Sequence, residues 1–487
     1  MSYLELLKLA APEGLVVLTA LIVLTLGLTR PRALGLSTLV SCIGLAAAGI
    51  AVTLLPANTT LLGGMLVVTP LTSLFKIVCL VLAIFAVLLT CGDGAPRLNG
   101  NEFLALLLLG TVGLLLLVGS EELLTIFIGL ELTGLSLYVL TGLDKEDLRS
   151  AEAGLKYFLF GSTASAFTLF GLSFVYGLTG TTALGPIAQK FSTAPLEPLL
   201  AAGVVMTLIG FAFKIAAAPF HLWAPDAYQG GPIASAAFIA SASKVASFVV
   251  LGKIVLVGFA PLHGSADWRG LVAGWSPVLA ALAAFSILLG NLVALVQTNV
   301  RRLLAYSAVA HAGYTLLGLV AGGREGFAAT LFYTTIYAVT LLGAFGVVGM
   351  VRRATGGDDL VNFTGLRARS PLLAGCMSVF MLSLAGLPPL AGFFGKFYLF
   401  AAAFRAGENH GLLWLIALAL FGSLISLYYY LIVLKVIFAN PSDAELSRSS
   451  MMVAPLQRLS VGIPAAAILA LGILPATLVT RILAALQ

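Results

Sequence analysis

The sequence predicts an all-α integral membrane protein with about 14 transmembrane helices. Of its 487 residues, 60% are hydrophobic and only 9% are charged, whereas soluble domains carry about 25% charged residues. Apolar runs of about 20 residues, the length of a membrane-spanning helix, recur along the whole chain. Short alternating segments typical of outer-membrane barrels do not occur. These observations exclude a water-soluble protein.

Apolar runs bounded by proline, glycine or charge mark the predicted spans. They are 14–29, 35–55, 66–90, 102–119, 123–143, 151–178, 199–218, 232–259, 277–297, 303–321, 326–351, 371–404, 411–438 and 457–480. The twelfth is too long for one straight helix and contains Pro388 and Pro389, so we expect a break there. The first run lacks a convincing cleavage site and is interpreted as a retained span.

The distribution of Lys and Arg predicts the orientation of these spans. Odd-numbered connections hold fourteen basic residues, whereas the termini and even-numbered connections hold six. Basic residues accumulate on the cytoplasmic side of membrane proteins. We therefore expect the odd-numbered connections in the cytoplasm and both termini outside. The net charge of +6 reflects this topology and does not indicate nucleic-acid binding.

Three lysines lie deep inside apolar stretches, where an ammonium costs at least about 2–3 kcal/mol. Lys214 and Lys244 fall near the middle of the seventh and eighth spans, and Lys396 falls in the twelfth. Three other lysines lie near predicted helix ends, where a long side chain can reach the interface: Lys76, Lys253 and Lys435. The first three are therefore candidates for an ion, proton or substrate path.

Two pairs of titratable residues recur at similar spacing. Lys214 follows Glu131 by 83 residues, and Lys396 follows His311 by 85. Both lysines neighbour prolines, with Pro219 after Lys214, so the seventh span should also break. An offset of five spans inverts the second copy, which predicts two inverted five-helix repeats, spans 4–8 and 9–13, as in transporters. Coincidence among many apolar segments is the alternative.

This repeat divides the chain into four predicted regions. They are residues 1–101 (helices 1–3), 102–259 (the first repeat), 260–438 (the second repeat) and 439–487 (the last helix).

The buried titratable groups suit a proton relay. Burial disfavours the charged form of lysine, whereas the carboxylate of Glu131 near Lys214 would favour it. Histidine titrates nearest to physiological pH, so His311 can accept a proton on one ring nitrogen and donate from the other. Alternatively, Glu131 and Lys214 form an ion pair that only fixes helix packing, and His311 is a packing residue.

The sequence offers no redox or nucleotide motif of its own. Its four cysteines are isolated and lack metal-binding or haem-attachment spacing. The segment GFFGKF around Lys396 does not complete a phosphate loop, because Leu390 stands at the first glycine position and Phe397 follows the lysine. We therefore expect no metal or cofactor bound to this chain, and Glu152 and Lys156, one helical turn apart, are expected to be a surface pair.

Several long motifs resemble a known family. They are GLELTGLSLYVL at 129–140, KYFLFGSTASAFTLFG at 156–171, FKIAAAPFHLWAPDAYQGGP at 213–232, RRLLAYSAVAHAGY at 301–314 and LAGLPPLAGFFGKFYLF at 384–400. They are similar to the antiporter-like subunits of proton-pumping NADH:quinone oxidoreductase (respiratory complex I), which are related to Mrp-type sodium/proton antiporters. Subunit N is the best match, because Lys396 stands where subunit M typically has glutamate and no long lateral helix follows.

The resemblance implies a role for each titratable residue. Glu131 and Lys214 would form one half-channel, Lys244 the central relay, and His311 with Lys396 the second half-channel. Partner subunits would carry FMN, iron–sulfur clusters and the quinone site. Those partners would be the M- and L-type antiporter-like subunits, the small A, J and K types, the quinone-site H type, and lipid, in a bacterial inner membrane.

Two other functions remain open from the sequence. A stand-alone Mrp-type cation/proton antiporter would exchange ions without partner redox subunits. A purely structural membrane scaffold would tolerate loss of the ammonium of Lys214.

Overall fold

The structure, a computed structural model, describes residues 3–30, 34–91, 99–193, 197–406, 410–440 and 454–487. Arg32, Arg97 and Arg448, three of the basic residues assigned to odd-numbered connections, lie outside these ranges. The described helices are α1 (Tyr3–Leu9), α2 (Ala11–Thr29), α3 (Leu34–Thr53), α4 (Pro70–Thr90), α5 (Gly100–Gly119), α6 (Leu123–Thr141), α7 (Leu148–Thr179), α8 (Leu184–Phe191), α9 (Pro198–Lys214), α10 (Trp223–Gly230), α11 (Ile233–Phe238), α12 (Lys244–Lys253), α13 (Trp275–Ala294), α14 (Val300–Ala321), α15 (Gly323–Thr355), α16 (Leu366–Arg369), α17 (Pro371–Ala385), α18 (Ala391–Arg405), α19 (Leu413–Phe438), α20 (Pro455–Ile473) and α21 (Ala476–Ala485).

Within the described residues, 12 helices are long and apolar enough to cross a membrane, and they coincide with twelve predicted spans. One of them, Ile233–Gly258, is continuous through α11, a π-helical turn, α12 and a second π-helical turn. The predicted span 371–404 is divided into two shorter helices, α17 and α18, whereas the helix α9 of the predicted span 199–218 already ends at Lys214 and the next helix, α10, begins at Trp223. The breaks expected near Pro219 and Pro388 are confirmed, and the total of fourteen spans stays a prediction.

The last predicted span, 457–480, is wrong at its carboxyl end. The helix α20 ends at Ile473, and α21 begins at Ala476. Pro475 lies between them and disfavours a helical conformation in the residue before it. Leu474 accordingly has φ −125° and ψ 61°, so the chain turns there instead of continuing as one helix.

The even-numbered connections meet at one end of the helix bundle, which we call the hairpin face. It carries two antiparallel hairpins, β1 (Thr59–Leu61) with β2 (Leu66–Val68) and β3 (Ser265–Asp267) with β4 (Gly270–Val272). The N–H of Glu121 donates to the carbonyl of Gly64 at 2.9 Å, and the N–H of Leu123 donates to Thr182 at 2.8 Å. These bonds join the second, fourth and sixth connections.

The odd-numbered connections meet at the opposite end, which we call the arginine face. The guanidinium of Arg301 donates to the carbonyl of Gly231 at 2.9 Å and also binds the carboxylate of Asp358. The N–H of Val300 donates to the carbonyl of Asp358 at 2.9 Å. The seventh, ninth and eleventh connections are therefore adjacent, as the alternation of spans requires.

The core lies among the central helices. In the most apolar 18-residue stretch of Ile233–Gly258, of α14 and of α15, 94% of the residues are buried, whereas in the same stretch of α2, α3, α7 and α20 only 33% are. Corresponding parts of the predicted repeats pack alike: α5 lies against α6 as α13 lies against α14, and α7 lies against α9 as α15 lies against α17. Titratable groups on the central helices are thus removed from both water and lipid.

Candidate functional site

The structure places four of the five predicted relay residues in the protein interior. The exposed fractions are 7% for Lys214, 2% for Lys244, 3% for His311 and 5% for Lys396. Glu131 is half-buried. These residues lie on α9, α12, α14, α18 and α6, respectively, so that each is supplied by a different helix.

Lys214 lies at the break in the seventh span. The helix α9 ends at this residue, and the chain then turns through Ala216, whose φ of 57° is in the left-handed region. On the other side of the break, the indole of Trp223 donates to the carbonyl of Phe213 at 3.1 Å. The last carbonyls of a helix form the negative end of its dipole, so the break provides a favourable field for an ammonium group.

Glu131 and Lys214 do not form a direct ion pair, since no carboxylate oxygen of Glu131 lies within the 4.0 Å that defines one. The carboxylate instead accepts a hydrogen bond from the hydroxyl of Ser165. The ammonium lies 5.6 Å from the ring centroid of Tyr138, which stands two turns after Glu131 on α6. Glu131 still acts on Lys214 electrostatically, so the two charges are coupled without contact.

Gly134 on α6 leaves space for the ammonium group of Lys214 and for the hydroxyl of Tyr138, which lies one turn further along the same helix. A Cβ atom at this position would lie 2.9 Å from Nζ of Lys214 and 3.0 Å from the Tyr138 hydroxyl. Both distances are shorter than ordinary side-chain contacts. The absence of a side chain at Gly134 therefore lets the ammonium reach the surface of the helix that carries Glu131.

Lys244 begins α12, directly after the π-helical turn Ile239–Ser243. Its ammonium donates to the carbonyl of Ala308 on α14 at 2.9 Å. It also lies 5.4 Å from the ring centroid of Tyr337 on α15. π-Helical turns frequently occur at functional sites, and this one precedes the lysine at the centre of the predicted path.

His311 is held by two tyrosine hydroxyls. Its Nδ1 lies 2.7 Å from the hydroxyl of Tyr333, and its Nε2 lies 3.0 Å from the hydroxyl of Tyr430. The hydroxyl of Tyr430 is also bonded to Ser307. A neutral imidazole has one donor and one acceptor nitrogen, and a hydroxyl can play either role. This arrangement can therefore pass a proton through the ring in either direction.

Lys396 lies at the second helix break. Its ammonium donates to the carbonyl of Ala385, the last residue of α17, at 3.1 Å. It also donates to the hydroxyl of Ser423 on α19 at 2.8 Å and lies 5.2 Å from the ring centroid of Tyr314. Lys396 thus places its ammonium group at the carboxyl end of α17, whereas Lys214 is itself the last residue of α9 and its ammonium group lies against α6.

Aromatic rings connect three of the titratable residues. The ring of Tyr337 lies beside the ammonium of Lys244 and 4.9 Å from the ring of His311. The ring of Tyr314 lies 5.6 Å from His311 and beside the ammonium of Lys396. The order Lys244, Tyr337, His311, Tyr314 and Lys396 is therefore continuous. Among the described residues, no hydrogen bond or ring contact joins Lys214 to Lys244, so that step stays a prediction.

A buried amide extends this cluster. Asn291 donates to the Tyr314 hydroxyl at 2.9 Å and accepts from the Tyr429 hydroxyl at 3.0 Å. All three side chains are buried. The hydroxyl of Tyr314 is thereby held in one orientation, which fixes its ring between His311 and Lys396.

The sequence analysis did not identify Asn291 or most of the tyrosines. Tyrosine carries a polar group that usually finds a partner when it is buried, so tyrosines inside spans were a usable signal. Tyr333 and Tyr337, one turn apart on α15, and the run Tyr428–Tyr430 on α19 carry it most clearly. Tyr306 on α14 lies beside the guanidinium of Arg302, near the arginine face.

A second polar network lies at the arginine face. The carboxylate of Asp226 accepts from Lys156 and from Arg302, each at 2.8 Å. Lys156 also pairs with Glu152 at 2.6 Å, which confirms the predicted local pair. Asp226 is a further residue that the sequence analysis did not identify. It joins α7, α10 and α14 at the end of the broken seventh span.

Two of the three lysines expected to reach the membrane interface are buried instead. Lys76 pairs with Glu13 on α2 at 2.6 Å, and the exposed fraction of its side chain is 2%. Lys253 donates to the carbonyl of Val118 at 3.0 Å and lies 3.5 Å from the carboxylate of Glu121. Carboxylates from distant parts of the chain compensate both charges. Only Lys435 is exposed as expected.

Comparison with known proteins identifies the family. The family model described as "NADH:quinone oxidoreductase/Mrp antiporter, TM" matches residues 120–426. A relative from Acidobacterium capsulatum, named NADH-quinone oxidoreductase subunit N 2, is 45% identical, and the match covers 97% of this chain and 98% of the relative. A subunit N from Heliobacterium modesticaldum is 44% identical over 70% of this chain and 68% of the relative.

Solved structures with the same fold come from several membrane complexes. A chain of respiratory complex I from Thermus thermophilus has a TM-score of 0.79 and 34% identity, covering 96% of this chain and 98% of that one. A chain of the Mrp complex from Dietzia sp. has a TM-score of 0.80 at 22% identity, covering 99% and 97%. The second likeness shows the fold alone. This chain therefore belongs to the NADH:quinone oxidoreductase/Mrp antiporter family of membrane subunits, and within it to subunit N of NADH-quinone oxidoreductase.

Proposed function

We propose that this chain translocates protons as a membrane subunit of a NADH:quinone oxidoreductase. The observation that carries the proposal is the continuous set of contacts from Lys244 through Tyr337, His311 and Tyr314 to Lys396. Buried ionisable residues are costly in membrane proteins and typically line ion or proton paths. The subunit N relative that matches 97% of this chain supports a role for this path in an NADH-quinone oxidoreductase.

In this proposal each residue has one role. Glu131 sets the charge state of Lys214 electrostatically, because the two are coupled without contact. Lys244 receives the proton and exchanges it with His311 through the hydroxyl groups that surround the imidazole. Lys396 is the terminal group of the path. Water molecules would complete the steps between groups that are too far apart for a direct hydrogen bond.

The wider assembly is also proposed. FMN, iron–sulfur clusters and the quinone would be bound by partner subunits, with M- and L-type, A-, J- and K-type and H-type subunits and lipid around this chain. Residues 102–259 and 260–438 would be the two repeats, between the flanking regions 1–101 and 439–487. The bacterial inner membrane would hold the complex, with the arginine face towards the cytoplasm and both termini outside, as the distribution of basic residues favours.

A stand-alone Mrp-type antiporter is the second candidate. The likeness to the Mrp complex supports the shared fold. The relatives that match the chain at 45% and 44% identity are named as subunits of the oxidoreductase, which favours the redox-driven function.

The substitution Lys244→Met in the assembled complex tests the proposal. Methionine has similar length but no proton to transfer, so NADH-driven proton uptake by membrane vesicles should fall by at least about tenfold. The matched control is Lys435→Met, at an exposed position near the end of α19. Near-normal proton uptake by a fully assembled Lys244→Met complex would contradict the proposal. Cation/proton exchange by the isolated chain in liposomes would instead support the antiporter.

A further inference from the structure

A cluster of four charged residues lies outside the path from Lys244 to Lys396. Its members are Glu13 on α2, Lys76 on α4, Glu121 after α5, and Lys253 at the end of α12. The exposed fractions of the two lysine side chains are 2% and 3%. Their charges balance as two ammonium and two carboxylate groups. The cluster lies at the hairpin face, opposite the Asp226 network.

The carboxyl end of α5 brings the two lysines together. Lys253 donates to the carbonyls of Val118 and Ser120 at 3.0 and 3.4 Å. The side chain of Lys76 passes over Gly119, which lies between Val118 and Ser120. A Cβ atom at Gly119 would lie 2.6 Å from Cε and 2.7 Å from Nζ of Lys76. The negative end of the helix dipole stabilises cations at this position. The two ammonium groups also repel each other, so their charge states are coupled.

One end of the cluster reaches solvent, and the other end is buried. The exposed fraction of the Glu121 side chain is 37%, whereas that of Glu13 is 8%. One oxygen of Glu13 pairs with Lys76, but the other, Oε2, is buried and has no hydrogen-bond partner among the described residues. Buried carboxylate oxygens normally have a partner, and an unpaired oxygen can gain one by binding a proton, which it then donates, or by accepting from water. The orphaned oxygen therefore marks a place where a proton can be held.

We propose that Glu13, Lys76, Lys253 and Glu121 form a proton-exchange site between the protein interior and the compartment at the hairpin face. This inference rests on the proposed function. Lys253 transfers a proton from Nζ to the carboxylate of Glu121, and the resulting carboxylic acid releases it to solvent. Lys76 then passes a proton to the neutral Lys253, and Glu13, whose carboxylate has first taken up a proton from the protein interior, gives that proton to Lys76 and restores its charge. Glu13 returns to the carboxylate form and can accept the next proton.

The position of the site suits this role. Lys253 stands nine residues after Lys244 on one helix, which corresponds to about 13 Å along the axis. Glu121 from the α5–α6 connection and Lys76 from α4 are the charged groups that act on Lys253, and Glu13 from α2 pairs with Lys76. Along the helix axis, the site therefore lies about 13 Å from Lys244, towards the hairpin face.

Arginine substitutions separate a proton-exchange site from a structural ion-pair cluster. Arg keeps the positive charge and the hydrogen bonds but does not release its proton in proteins. We expect Lys253→Arg and Lys76→Arg complexes to assemble and to lose about tenfold or more of NADH-driven proton uptake. Lys435→Arg is the matched control. Unchanged proton uptake in both assembled arginine variants would overturn the inference, since a structural cluster tolerates arginine.

Glu121→Gln keeps the test decisive if the arginine variants fail to assemble, because Glu121 is partly exposed and its replacement disturbs little packing. The variant should lower proton uptake several-fold and change its dependence on external pH, with Glu325→Gln as the exposed control. A pH profile that coincides with that of the unsubstituted complex would overturn the inference. If Lys244→Met also leaves proton uptake normal, the proposed function itself fails; if only the cluster variants are normal, the exchange site alone fails.

Discussion

The hydroxyl of Tyr333 lies 2.7 Å from Nδ1 of His311, inside a helix bundle where both residues are buried. The opposite ring nitrogen is bonded to Tyr430. Buried ring nitrogens need hydrogen-bond partners in any case, but hydroxyl groups, unlike carbonyl groups, can both donate and accept and can therefore also pass a proton on. The two tyrosine hydroxyls therefore favour a proton relay at His311 over a residue that only fills space.

Replacing Tyr430 with phenylalanine should slow the relay without unfolding it. Tyr430→Phe keeps the ring but removes the hydroxyl that bonds both His311 and Ser307. We expect proton uptake to fall by about tenfold, because a proton at Nε2 loses its acceptor. NADH-driven uptake by membrane vesicles measures this. Tyr428→Phe, on the exposed face of the same helix, is the control, and equal rates in the two variants would contradict the prediction.

Loss of the Asn291 amide should destabilise the protein. Asn291→Leu leaves the hydroxyls of Tyr314 and Tyr429 without their present partner. Each buried unpaired group costs about 1–3 kcal/mol, so the loss of a partner by both hydroxyls should cost the variant about 2–6 kcal/mol. The temperature of half-inactivation of the purified complex reports the loss. Gln297→Leu, a partly buried amide bonded only within its own helix, should have a smaller effect; equal effects would show that the bridge adds nothing.

The close approach of α5 and α6 should not tolerate a methyl group at Gly113. A Cβ atom there would lie 2.7 Å from the backbone nitrogen of Thr133 and 2.8 Å from the carbonyl of Gly129. Backbone atoms cannot move as a side chain can, so Gly113→Ala should cost about 1–3 kcal/mol. The amount of assembled complex in membranes is the measurement. Gly177→Ala, where no atom lies within 4 Å, should assemble normally, and similar amounts of both variants would refute the packing argument.

Glu122 should stabilise the start of α6 in a pH-dependent way. Burial alone would raise the pKa of this carboxyl, but hydrogen bonds from Thr182, Thr125 and Leu124 outweigh burial and hold the pKa below its ordinary value of 4.5. A group whose pKa is lowered by folding contributes stability above its unfolded pKa and loses it as the pH falls through the folded pKa. Glu122→Gln should therefore cost about 1 kcal/mol near neutral pH.

The same variant provides the check on the sign. The difference in unfolding temperature between Glu122→Gln and the unsubstituted protein should shrink as the pH falls below 4.5 and through the lower pKa of the folded state, below which the carboxyl is protonated in both states. A difference that stays constant or grows on acidification would show that the carboxylate charge does not stabilise this helix.

Much of the architecture followed from the sequence because the membrane restricts the choice of structure. A bilayer offers no hydrogen-bond partner to the backbone, so apolar runs of about 20 residues must be helices. Prolines predict helix breaks from the sequence in the same way. Pro388 lies in the break between α17 and α18, and Pro219 lies in the break between α9 and α10. Pro475, which separates α20 from α21, carried the same signal and was overlooked.

The candidate site was only partly predictable. Lys214, Lys244, His311 and Lys396 are conspicuous because each is polar within an apolar run. Asn291 and the tyrosines are not conspicuous, since a tyrosine in a span is as well suited to lipid headgroups as to a buried hydroxyl network. Which of these it faces depends on the rotation of its helix against its neighbours.

The sequence by itself determined the helical membrane class, the approximate spans and the presence of charges that are expensive to bury. Folding decided which charges meet. Lys76 is 63 residues from Glu13, and Lys253 is 135 residues from the carbonyl of Val118 that it binds. Hydropathy reports only where a residue lies along a predicted span. Both lysines lie near predicted span ends, so the sequence assigned them to the membrane interface. The packing of α2, α4, α5 and α12 supplied the compensating groups that keep them inside.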